Sequence, residues 1–107
     1  MAEYHVEILP SAWQDLDRIA EYHLRMVGAA SAERITSRIL DTLEKLEAFP
    51  LMGALHSDVS LARMEYRKVL CGDYVCVYRL IGQTVFVYRI VHGATDYPKH
   101  FMEKPMQ

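Results

Sequence analysis

The residues best suited to chemistry or to gripping an anion lie in the last third of the chain. His92-Gly93-Ala94-Thr95-Asp96-Tyr97, with His100 just beyond, brings two imidazoles, a carboxylate and a phenol into one short segment. A histidine titrates near neutral pH, so His92 is a candidate acid or base. The competing reading is a strand-end ring that packs and makes one hydrogen bond. Tyr97 either contacts a partner or closes the core. Upstream stand Arg67, Lys68, Arg79 and Arg89, and a guanidinium pairs strongly with carboxylate or phosphate. Arg67 and Lys68 either form a cationic patch or guard a strand edge against aggregation. Arg79 and Arg89 pair either with an acidic partner segment or with an internal carboxylate or carbonyl. A cationic surface ending in a His-Asp-Tyr loop suits a macromolecular partner, and no pocket for a small metabolite is expected. Tyr66, Tyr74, Tyr78, Phe86 and Tyr88 are read as core rather than as base-stacking platforms.

Periodicity indicates the elements that must position these groups. Tyr4–Leu9 reads as a short strand ended by Pro10. Ser11 with Gln14 has the form of a capping box, opening a helix with Trp13, Leu16, Ile19, Ala20, His23 or Leu24, and Val27 inward and Asp15 and Asp17 outward. Gly28 is a natural helix stop. A second helix, capped by Ser31, presents Ile35, Ile39, Leu43, Leu46 and Phe49 and stops at Pro50. Residues 51–63 lack a steady period and read as loop. Strands are expected at about 65–70, 74–81 and 84–91, joined at Gly72-Asp73 and Gly82-Gln83 into an antiparallel meander. The middle strand is apolar at almost every position, which implies cover on both faces, one from the helices and the other from something else, such as a partner.

The chain of 107 residues, 51% hydrophobic, suits one domain spanning 1–107, with about 103–107 frayed. A net charge of −2 excludes a general polycation. The charge is nonetheless uneven: from Arg63 to Arg89 five cations meet only Glu65 and Asp73, while acids gather toward the front. The start Met-Ala-Glu-Tyr-His does not resemble a signal peptide and no run is long enough for a membrane span, so a cytoplasmic protein without membrane contact is expected. Cys71, Cys76 and the scattered His5, His23 and His56 lack metal-ligand spacing; reduced thiols and no metal or cofactor are expected.

Strand, two helices, loop and meander, in that order, resemble the ParE/RelE toxin superfamily of type II toxin–antitoxin systems. Phe49-Pro50-Leu51-Met52-Gly53 is similar to the family's helix-ending element. Arg67-x-Val69, Gly72-x-Tyr74-x-x-x-Tyr78-Arg79 and Val85-x-Val87-x-Arg89-x-Val91-His92-Gly93-x-x-Asp96-Tyr97 are similar to its strands and terminal signature. The resemblance implies an α+β fold, β-α-α-β-β-β, with a helical hairpin packed on a small, mostly antiparallel sheet. It also implies a cognate antitoxin as partner. The ending at His92–Tyr97 favours the ParE-like branch, whose members typically poison DNA gyrase, so stable nucleic-acid binding by the chain alone is not expected. RelE-like relatives instead cut mRNA in the ribosomal A site; on that reading His92, Tyr97 and His100 would be the candidate catalytic groups. That chemistry needs a base, an acid and cations around the phosphate, yet Val75 and Ala94 or Thr95 stand where RelE-like toxins carry arginines. A gyrase inhibitor without chemistry of its own is therefore expected, contacting target or antitoxin through Arg67, Lys68, Arg79, Arg89, His92, Asp96 and Tyr97. Ala54 and Thr95 also replace arginines common in ParE-like toxins, which implies altered potency or an altered target.

Overall fold

The computed structural model describes residues 3–95 and 97–98. Asp96, His100 and the tail expected to fray lie outside them. The fold is α+β. Strand β1 (His5–Ile8) leads into helices α1 (Pro10–Met26) and α2 (Ala29–Lys45). Strand β2 (Ala54–Leu55), helix α3 (Val59–Arg63) and strands β3 (Arg67–Cys71), β4 (Tyr74–Ile81) and β5 (Thr84–His92) follow. The five strands lie in the order β1-β5-β4-β3-β2. Only the β1–β5 pair is parallel. The two tight turns of the meander form as expected, with Gly72 at φ 61 and Gly82 at φ 64. A glycine with positive φ at the first turn position is the type II′ requirement.

Two elements, β2 and α3, occupy the stretch read as loop. Asp58 supplies the local reason for the second, since its carboxylate accepts a hydrogen bond from the Leu61 amide at 3.1 Å. Five residues are too few for periodicity to reveal a helix. Both expected serine caps are displaced. α1 begins with Pro10, where the missing N–H costs nothing, and the Ser11 hydroxyl donates instead to the Tyr88 carbonyl at 2.7 Å. α2 begins after Gly28, whose φ of 143 favours glycine. Gly28 also ends α1 as expected, its amide donating to the His23 carbonyl.

The buried strip of α1 is Ala12, Asp15, Leu16 and Ile19, not the strip through Trp13, Leu24 and Val27, all of which are exposed. The helix is rolled so that Asp15 reaches β5. On α2, Ile39 and Leu43, followed by Leu46, are buried as expected. Phe49 is exposed because the helix ends at Lys45 and the chain turns away. The helical hairpin covers one face of the sheet over Cys76, Tyr78, Val85, Val87 and Ile90. The other face of β4 is covered by the chain itself: Leu61 of α3, Tyr66 and Tyr97 close over Val75 and Val77. Both cysteines are free and buried, and burial pushes the Cys76 thiol up to about 12. Such a thiol is an inert packing group. No helix among the described residues is long and apolar enough to cross a membrane.

Candidate functional site

On the face away from the hairpin, His56 and Tyr97 form a buried pair. The His56 ring nitrogen Nδ1 accepts a hydrogen bond from the Asp58 amide at 3.0 Å. Its Nε2 therefore carries the proton and donates to the Tyr97 hydroxyl at 2.5 Å. Only 5% of His56 is exposed. Desolvation, followed by the charge of Lys68, holds its pKa below the usual value, against a smaller opposing effect of Asp58. Lys68 stands beside the pair, its Nζ donating to the Ser57 hydroxyl at 3.0 Å. Arg79 lies on the same face, 5.0 Å over the Tyr66 ring. Its Nε is buried with no hydrogen-bond partner among the described residues, so one strong donor is left to be satisfied.

Arg67 projects to the opposite face and is tied down. Its guanidinium donates to the Gly53 carbonyl at 2.6 Å. The Tyr78 hydroxyl enters the same turn, donating to the Pro50 carbonyl at 2.8 Å and accepting from the Gly53 amide at 3.0 Å. A β-carbon on Gly53 would sit 2.5 Å from the Lys68 carbonyl oxygen, so the turn requires glycine. Arg89 is internal as well. Its Nε and a terminal nitrogen reach the two Asp15 oxygens at 2.7 and 2.9 Å. The Ile90 amide donates to Asp15 at 2.9 Å. These hydrogen bonds raise the Arg89 pKa against its burial. The cause lies in the sheet. β5 is irregular where Val77 and Tyr78 of β4 face Arg89 and Val87, and β1 pairs only as far as Val87. Ser11 and Asp15 satisfy backbone groups that β1 does not reach.

His92 ends β5 on the hairpin side, with its ring edge-on to Tyr74 at 5.5 Å. It lines an open cleft of about 730 Å³ between the hairpin and the β3–β4 turn. Segments of α1, α2, the β3–β4 turn and the end of β5 form the cleft together, which no local motif could signal. Its wall holds a relay in which the Ser31 hydroxyl meets His23 Nδ1 at 3.0 Å and His23 Nε2 meets the Tyr74 hydroxyl at 3.1 Å.

The model of the ParE toxin of the type II toxin–antitoxin system, parDE, matches residues 6–97. The chain belongs to the ParE toxin family. Two solved structures share the toxin's fold. One is the chromosomal ParDE toxin–antitoxin system from P. aeruginosa, 17% identical with a TM-score of 0.72, where the match covers 86% of this chain and 98% of that one. The other is the RelBE2 toxin–antitoxin complex from Mycobacterium tuberculosis, 22% identical with a TM-score of 0.63, covering 84% and 98%. No curated protein sequence matches the toxin.

Within this ParE toxin, the residues singled out from sequence divide between two faces. Lys68, Arg79 and Tyr97 share the face with His56, while His92 stands in the cleft on the other. Arg67 and Arg89 hold backbone and helix in place. His56 escaped sequence reading because its segment has no period; the usable signal was Asp58, whose cap fixes the residues around it. The buried imidazole carries a pH prediction. Its folded pKa lies below the unfolded value near 6.5, so the unfolded chain binds the proton more readily. Stability is complete above pH about 6.5 and falls as pH drops below it. Urea midpoints at pH 7.5 and 5.5 should therefore differ, and His56→Gln should shrink the difference. An unchanged difference in the variant would mean that another group carries the acid sensitivity.

Proposed function

We propose that this ParE toxin is held silent by a cognate antitoxin and arrests growth by binding DNA gyrase, without cutting RNA itself. The observation carrying this reading is the separation of His92 and Tyr97. The resemblance to RelE-like toxins would require these residues to serve one cleavage site. Here the His92 ring packs on Tyr74 on the hairpin side, whereas Tyr97 is buried with Leu61 and Val77 on the other side. An acid and a base divided by a sheet do not flank one phosphodiester. Val75 is buried, and Ala94 and Thr95 supply no cation.

The antitoxin reading draws on exposed apolar side chains as well as on the fold shared with two toxin–antitoxin systems. Phe49, Leu51, Met52 and Leu55 are all exposed in or just before the short edge strand β2. Apolar surface of this kind marks a protein-binding site, and a disordered acidic tail ordering on it would complement the nearby cations. For gyrase, the cations are Lys68 and Arg79, with Arg63 carried on α3, the short helix whose Leu61 covers the same face of β4.

The test is a supercoiling assay with gyrase and plasmid, run beside translating ribosomes. Supercoiling should be blocked or cleaved DNA trapped, and ribosomal mRNA should stay intact; A-site cuts would replace this reading with the nuclease one. Arg67 is a poor probe because reversing it would break the Gly53 turn. Lys68→Glu combined with Arg63→Glu should weaken gyrase inhibition at least tenfold, about 1.4 kcal/mol, with the melting temperature retained. Full inhibition by the folded double variant would remove this patch from the interface.

A further inference from the structure

We infer that the cleft between the helical hairpin and the β3–β4 turn is a binding site for the phosphate groups of a nucleotide. Its lining is strongly one-signed. Arg18, Arg34 and Arg38 contribute guanidiniums, His23 and His92 contribute imidazoles, and Asp73 is the sole acid lining it among the described residues. Arg18 spends part of its charge on Asp15, at 3.4 Å. Arg34 and Arg38, one helical turn apart on α2, have no ion pair among the described residues. Side chains at that spacing project from the same helix face. The Arg38 guanidinium reaches the opposite wall, both terminal nitrogens lying 3.9 Å from where a β-carbon on Gly72 would stand. The cations are therefore brought across a concave space rather than spread over a convex surface, and concavity focuses their field.

The remaining lining favours a nucleotide over a bare anion. Tyr22, His23, Tyr74 and His92 form a continuous run of rings with centroid spacings of 5.7, 6.1 and 5.5 Å. Tyr22 and His92 are exposed at its two ends. An exposed ring beside paired arginines offers stacking for a base and charge for its phosphates. His92 is also set as a donor. Its Nδ1 accepts from the Ala94 amide at 3.1 Å, so the neutral ring carries its proton on Nε2. The cleft volume of about 730 Å³ falls within the range of small-molecule sites. The phosphate can come from a free nucleotide or from the end of a nucleic-acid strand, since both present the same group to the arginines.

Isothermal titration of the purified chain tests the site independently of toxicity and of gyrase. ATP should bind with a sub-millimolar Kd and adenosine at least tenfold more weakly. Pyrophosphate should displace ATP from the wild-type protein, a result that needs no variant. Arg34→Gln with Arg38→Gln, both exposed cleft positions outside the core, should weaken ATP at least tenfold, while Lys45→Ala should leave it unchanged. A 5′-phosphorylated trinucleotide that binds as tightly as ATP, against its unphosphorylated counterpart, assigns a strand end; ATP binding alone assigns a free nucleotide. Absence of heat or shift up to about 5 mM ATP, or equal affinity in the double variant, overturns the site. So does a poly-glutamate peptide that binds more tightly than ATP and excludes it, since the cleft is then a seat for acidic protein.

Discussion

Asp15→Ala should destabilise the toxin by about 3 kcal/mol. The carboxylate is 5% exposed and accepts two bonds from Arg89 and one from the Ile90 amide. Removing it strands a guanidinium and a buried N–H together. Breaking a buried ion pair from one side costs about 3–5 kcal/mol. The lower end applies because the Arg89 side chain is 31% exposed and water can recover part of the loss. Urea unfolding of Asp15→Ala, Arg89→Ala and the double variant closes a cycle, and the coupling should exceed about 1 kcal/mol. A single-variant loss below about 1 kcal/mol would mean that the pair is a surface contact and that something else holds α1 on β5.

Leu43→Ala should cost about 2–5 kcal/mol. Leu43 is 1% exposed in the core that joins the hairpin to Tyr78, Val85 and Val87. The deletion removes transfer energy and leaves a cavity that helices pinned at both ends cannot easily collapse. The loss should appear as a lower urea midpoint at unchanged slope. Leu24→Ala on α1, an exposed position, is the contrast and should change stability by less than about 0.5 kcal/mol. Similar values for the two would mean that the buried faces of the hairpin have been misassigned.

The features legible in the sequence are those that act locally. Gly72-Asp73 and Gly82-Gln83 marked the turns of the meander, and Ile35, Ile39 and Leu43 marked the inner face of α2 because their period survives in the packing. The central position of β4 was legible from its unbroken apolar run. Asp15 was misread as solvent-facing because polarity alone placed it; the partner that draws it inward is 74 residues away. Ser11 looked like a cap for the same reason, its true acceptor lying on β5. The cleft was invisible since Arg18, Arg34, Arg38 and His92 meet only after the hairpin docks on the meander. The second cover of β4 was left open because α3 is short and the Tyr97 contact depends on a loop histidine.

The parallel pairing of β1 with β5 sets a schedule for the newborn polypeptide. The first strand to emerge during synthesis takes its place only beside the last, His5 against Thr84. A loop of that span must close before Val6 and Ile8 find their neighbours, and such closures are slow. Strands β3 and β4, with Arg67, Lys68 and Arg79, can pair earlier, but the floor under the helical hairpin is complete only once Val85, Val87 and Ile90 of β5 join Cys76 and Tyr78.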